Sequence, residues 1–375
     1  MAYVYAQLVF IMPPSSGLFR SVIDSMWNRL LTRAIPFNPV DFALPADFRL
    51  TGLHNYTSQL DWRMHRLECS LKQLEDGSYQ ATCTAQIFMV LDDPFIYGQI
   101  AAVAIMSELY ALGILAADTI VPVVEVGLGL SDHDSITLAS MHLTGFSSAM
   151  RHLTGNAGHG LPYIARCAFS SVGGTVIGTS RTFVPASNAR PGDLLVLTKP
   201  LGATFVLALY QSMMARDADW RRVEGIVTER VVHRLYQTAL DLMRLPERDA
   251  ARLMQKYGAH AATHVGKRGL VGHATALVLS QSQAVDFSLS TVPVISRLAE
   301  LAIALGDPSQ LLEGLAPEVS AGLLVCLPPS AAFAFVAELN EREGVRATVI
   351  GRVVKGTRAV SFYRNLTKSV QVGPF

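Results

Sequence analysis

The second half of the chain constrains the fold most. Short apolar runs recur at Leu194–Thr198, Ala284–Leu289, Gly322–Leu327 and Ala347–Val354, separated by longer stretches of helical character at Phe205–Met214, Val227–Met243, Glu247–Tyr257, Ile295–Leu305 and Ala331–Asn340. Runs of that length are too short for core helices and read as buried strands. Strands that alternate with helices in this way build a sheet covered by helices, so the chain is α/β.

The first half continues the pattern less regularly. Ser21–Ala34 reads as an amphipathic helix, with Val22, Met26, Trp27, Leu30 and Leu31 on one face, followed by an extended linker at Pro36, Pro39 and Pro45. Glu68–Leu91 reads as a hairpin turning at Asp76-Gly77. Gly98–Gly113 is an alanine-rich helix, Asp118–Gly127 a valine-rich strand, Asp132–Leu153 a long helix capped by Ser131 or Asp132, and Tyr163–Ile177 a strand. With 375 residues the chain exceeds what one core organises. The polar linker Pro185–Pro191 places the boundary near residue 188, giving an arm at 1–47, a first domain at 48–187 and a second at 188–375.

Composition excludes several classes. Half of the residues are hydrophobic and 16% charged, which is incompatible with a disordered chain. A net charge of +1 provides no drive towards nucleic acid or anionic membrane. Met1–Met12 is apolar, but it is too short to span a bilayer and lacks a basic leader, since Arg20 is the first charged side chain. Cys69, Cys83, Cys167 and Cys326 form no CxxC pair, so neither a disulfide framework nor a zinc finger is expected, and a reducing, cytoplasmic compartment is.

Three constellations carry possible chemistry. His260 and His264 stand four apart, with His273 beyond, and would hold zinc if helical. The general-base glutamate is replaced by Ala261, however, and Gly266, Gly269 and Gly272 favour a loop. Gly155–Gly160 is glycine-rich but lacks the lysine and hydroxyl of a phosphate-binding loop, so a flexible loop is the plainer reading. Asp92-Asp93-Pro94 is either a magnesium-binding pair or a helix cap.

A longer set of segments resembles the selenophosphate synthetase (selenide, water dikinase) family, nearest to its animal branch. These are Phe48–Thr51, Asp92–Ala102 continuing to Gly113, Arg190–Gly202, Gly258–Thr263, Gly269–Ala274, Ala316–Leu324 and Val349–Gly356, in collinear order from about Pro36 to the C-terminus. The resemblance implies an aminoimidazole-ribonucleotide-synthetase-like fold of two α/β domains, whose N-terminal strands form a barrel across a dimer. It also implies ATP and magnesium in the cleft, and selenophosphate made from ATP, selenide and water.

The departures fall on the chemistry. Gly52–Arg63 contains neither lysine nor cysteine where the family carries its catalytic glycine-rich segment. The family's Thr-Thr-Asp reads Cys83-Thr84-Ala85, its Ser-Asp reads Ser107-Glu108, and the asparagine three residues before that serine is Ala104. Its aspartate loop reads His264–Gly269, with Lys267 and Arg268 inside it. Glu68 falls near the remaining metal aspartate, and Gly158 and His159 near the nucleotide loop. Phosphoryl transfer depends on positioned cations, and magnesium needs oxygen ligands that alanine lacks.

The expected protein is therefore a catalytically inactive relative that acts as a scaffold or interaction protein and needs no cofactor. Its expected assembly is a homodimer, or a heterodimer with an intact relative, with residues 1–35 available for a larger assembly and no nucleic-acid or membrane partner. Two alternatives remain: a dikinase with ATP and magnesium on substituted ligands (Glu108, Glu68), and a nucleotide sensor using Glu108, Gly158, His159, Lys267 and Arg268.

Overall fold

The computed structural model describes residues 69–88, 91–154, 158–167, 170–306, 310–362 and 367–370. The amphipathic arm, the Pro linker and Glu68 lie outside the described residues. Two six-stranded sheets, each with its own helices, form the framework.

The first sheet comprises β1 (Cys69–Gln73), β2 (Tyr79–Phe88), β3 (Thr119–Gly127), β4 (Gly158–His159), β5 (Tyr163–Cys167) and β6 (Ser171–Ser180). Its order is β1-β2-β6-β3, with β4 and β5 both pairing along β3. The hairpin turns at Gly77, as expected, but the expected Tyr163–Ile177 strand divides into β5 and β6. In β3 the side chains alternate between buried and half-buried, so one face is packed and the other partly open. Helices α1 (Pro94–Ala111) and α2 (Asp132–Thr154) lie on the packed face.

Cys69 and Cys83 stand directly opposite each other in the β1–β2 register and form a disulfide, a correction to the expected free thiols. Fourteen residues of separation showed no motif in the sequence, and hairpin register alone brings them together. In the chain-entropy view, closing a loop of this size stabilises by about 3 kcal/mol.

Helix α1 is apolar almost all round and buried on nearly every side. It packs against α2, β2 and β6 on one side and reaches the second half of the molecule on the other. Two glycines allow its crossing with α2. A Cβ on Gly98 would sit 2.2 Å from the His142 carbonyl oxygen, and one on Gly145 only 1.9 Å from that of Phe95. The helix backbones therefore touch. Ser131 caps α2, its Oγ accepting from the Asp134 N–H at 3.1 Å.

The second sheet runs β13 (Val360–Phe362), β9 (Val285–Leu289), β12 (Thr348–Lys355), β7 (Leu194–Leu197), β11 (Leu323–Leu327), β8 (Ala261–His264). A separate parallel pair joins β10 (Val292–Ile295) to β14 (Thr367–Val370). All five residues of β11 are buried, the signature of a strand covered on both faces. Its helices are α3 (Ala203–Ala215), α4 (Ala218–Val223), α5 (Glu229–Arg244), α6 (Arg248–Lys256), α7 (Gly269–Leu279), α8 (Leu298–Leu305) and α9 (Pro329–Glu343). The expected loop holds at 265–268 but ends there: α7 begins at Gly269, whose φ of +65° suits the entry turn, and Gly272 is tolerated inside it.

Candidate functional site

The cleft lies where α1 meets the second half. Asp93 starts the helix, its Oδ1 accepting from the N–H groups of Phe95 at 2.9 Å and Ile96 at 3.0 Å. Its carboxylate therefore serves as an N-cap, the plainer of the two sequence readings. Burial raises Asp92 above the usual carboxylate range, with a smaller contribution from the neighbouring Asp93 charge.

Four turns along, Ser107 and Glu108 bring the polar atoms of an otherwise apolar helix into the interior, and both are buried. The Glu108 carboxylate meets His264 Nδ1 at 2.9 Å. His264 ends β8 on the opposite wall, and the following turn wraps around its ring: a Cβ on Gly266 would lie 2.6 Å from Nε2. Lys267 and Arg268 then emerge, both exposed, and α7 begins. His273, just over a turn into α7, packs edge-on against the His264 ring at a centroid distance of 4.9 Å. Neither of its ring nitrogens has a hydrogen-bond partner among the described residues. Burial pulls the His273 imidazole down to about 2, assisted by His264, Arg268 and Lys267, so it is neutral at physiological pH.

A second network lies beside the first. Ser107 Oγ donates to Glu247 Oε2 at 2.5 Å and Glu247 Oε1 pairs with Lys199 Nζ at 2.5 Å. The ammonium also donates to the carbonyls of Leu242 at 2.9 Å and Leu245 at 2.5 Å. Lys199 and Glu247 are each 1% exposed, so the lysine is held by a full set of acceptors rather than by water. Nearby Glu343 is pushed up to about 8, chiefly by burial.

His260 is separated from this centre: its Nδ1 lies 2.9 Å from both carboxylate oxygens of Asp193. The His260–His264 stretch is strand rather than helix, so residues four apart are about 13 Å apart along the chain and cannot share a zinc ion. Gly158 and His159 extend the first sheet as β4 beside Thr119 and Ile120.

Magnesium asks for several oxygen ligands in octahedral array. Of the described carboxylates here, Asp93 caps α1, Glu247 pairs with Lys199, and Glu108 faces an imidazole, with a second histidine, a lysine and an arginine behind it. Among the described residues no group of three or more His, Cys, Asp or Glu is arranged to hold a metal ion. The described residues do not fit magnesium.

Sequence reasoning named Glu108, His264, Lys267 and Arg268, and the structure brings Glu108 and His264 into contact. It missed Lys199, Glu247 and Glu318. Glu318 is buried and caps α3 from a distant loop, accepting from Gly202 N at 2.5 Å and Thr204 N at 3.3 Å. Lys199 had left a signal, as a lone charge closing an apolar strand. Glu318 left only the absence of a capping side chain at Gly202.

Comparison with known proteins gives these features a lineage. Residues 190–364 match the model of the AIR synthase related protein, C-terminal domain. The chain is 31% identical to zebrafish selenide, water dikinase 3 over 80% of this chain and 72% of that one. It is 31% identical to the Dictyostelium discoideum selenide, water dikinase over 76% and 79% respectively. Against mouse selenide, water dikinase 2, at 32% identity, it spans 64% of the relative's length. Among solved structures, thiamine monophosphate kinase of Aquifex aeolicus superposes with a TM-score of 0.60 at 17% identity, covering 86% of this chain and 97% of that one. The hydrogenase maturation protein HypE, in its complex with HypF, gives 0.58 at 12% identity, covering 85% of this chain and 96% of the other. The fold is aminoimidazole-ribonucleotide-synthetase-like, and this chain belongs to the selenide, water dikinase (selenophosphate synthetase) family.

Proposed function

We propose that this chain is a selenophosphate-synthetase-like protein that has lost phosphoryl transfer and acts as a scaffold or interaction partner, as a homodimer or paired with an intact relative. One observation carries the reading: the acid on α1, Glu108, faces His264 at 2.9 Å, and among the described residues it joins no cluster of acids able to hold a metal ion. Transfer between phosphates rests almost wholly on positioned cations and electrostatic stabilisation. Among the described residues, a cleft whose carboxylates are set against a helix N-terminus, a lysine and an imidazole does not provide that machinery. The missing lysine and cysteine in Gly52–Arg63 support the same conclusion. For assembly, support comes from the half-open face of the first sheet, where Thr84 and Gln86 are exposed, and from the complex formed by the fold neighbour HypE with HypF.

The test is ATP consumption by the purified chain with magnesium and selenide. The expected rate equals that without enzyme. Magnesium-dependent turnover lost in Glu108→Gln would establish a working dikinase instead.

A second reading, nucleotide binding without turnover, is favoured by Lys267 and Arg268, which stand exposed at the start of α7, where helix N–H groups and cationic side chains attract phosphate. Calorimetric titration with ATP separates the two: heat independent of magnesium supports binding, and none at millimolar ATP leaves the scaffold.

A further inference from the structure

We infer that Glu108 and His264 form a clasp that joins the two halves of the molecule without a bridging cation. The pair is placed for it. Glu108 belongs to the helix packed on the first sheet, and His264 ends a strand of the second. The two are within 2.9 Å and each is less than 10% exposed. Neighbouring atoms cross the same seam: Ser107 Oγ bonds Glu247, and Gln255 Nε2 donates to the Gly113 carbonyl at 2.7 Å. The C-terminal half of α1 and the turn that ends it are thus tied to three separate places in the second half.

Electrostatics decide what the clasp replaces. A carboxylate buried at a seam needs countercharge or donors, because an unpaired buried charge is costly. A second carboxylate on the facing wall would repel it and would close only around a divalent cation. An imidazole can stand against it instead, and His264 Nδ1 lies 2.9 Å from the Glu108 carboxylate. Lys267 and Arg268 add positive charge just beyond His264, which opposes a cation in the same space. With an imidazole against the carboxylate and two cationic side chains just beyond it, the closed arrangement is available with no metal bound. This deepens the reading of a silent cleft and rests on it, but its test is stability rather than turnover. ATP consumption can remain absent while the clasp fails, so the two outcomes are distinguishable.

The experiment is thermal unfolding of the full chain in EDTA and in millimolar MgCl2. Wild type should melt at the same temperature in both. Glu108→Ala and His264→Ala should each lower the midpoint by about 5 °C or more, and the double variant by much less than their sum, as expected for one shared contact. His264→Asp faces two acids across the seam: it should melt low in EDTA and recover in magnesium. If His264→Asp does not fold, the alanine cycle alone decides. Additive alanine losses overturn the clasp. So does a His264→Asp variant stable in EDTA, or a wild-type midpoint that rises with magnesium and ceases to do so in Glu108→Gln.

Discussion

The two sheets meet water in different ways. In β3 of the first sheet burial alternates residue by residue, and the face carrying Thr84, Gln86 and Thr175 is half-open. In the second, β7 and β11 are buried nearly end to end. One sheet has spare surface for a partner, whereas the other is filled on both sides by its own chain. Substitutions should therefore threaten folding in the second and association in the first.

The largest loss is expected at Lys199. Lys199→Ala leaves Glu247 charged and buried with Ser107 alone, and breaking such a pair costs about 3–5 kcal/mol. Chemical denaturation measures it, and a loss below 1 kcal/mol would show that water reaches this site. The next test addresses the first region where it is as tightly packed as the second. Gly145→Ala must push α2 off the Phe95 carbonyl, costing about 1–3 kcal/mol. An unchanged midpoint would mean that the helices separate freely.

Opposite pH slopes sharpen the contrast. Burial pulls His142, on the packed face of the first sheet, down to about 3. The unfolded chain binds its proton near pH 6.5, so stability falls as pH drops below that value and continues falling towards the folded pKa, by about 2 kcal/mol between pH 7 and 5. In the second region burial pushes Glu318 up to about 7. There the folded state holds the extra proton, so its contribution is lost as pH rises from 4.5 to about 7. His142→Phe should flatten the acid limb and Glu318→Gln the other, as read by urea midpoints across pH. The smallest effect on folding is Thr84→Lys on the open face, within about 0.5 kcal/mol. The same change should abolish self-association in sedimentation if that face meets another copy. An unchanged sedimentation coefficient would point to a different surface.

The same difference explains how much the sequence revealed. Strands buried on both faces announce themselves as unbroken apolar runs, so β7 and β11 were legible. Glu108 was legible too, as the one charge between Gly98 and Gly113. Contacts that depend on register or on distant chain segments were hidden. The Cys69–Cys83 bond needs the hairpin alignment, Glu318 reaches α3 from more than a hundred residues away, and Ser107 meets Glu247 across the seam. The start of α7 was obscured because Gly269 serves its entry turn and Gly272 sits inside the helix against Arg268, while only Gly266 belongs to the loop.

The disulfide also determines how force enters the molecule. The 68 residues before Cys69 lead into β1, the outermost of the described strands of the first sheet, the place from which a pulled sheet unzips one bond at a time. Because Cys69 is bonded to Cys83 in the adjoining β2, tension on that arm bypasses the five residues of β1 and enters midway along the ten-residue β2–β6 ladder. The chain before Cys69 thus has a covalent anchor in the sheet, and reducing that single bond would turn a firm tether into one that peels.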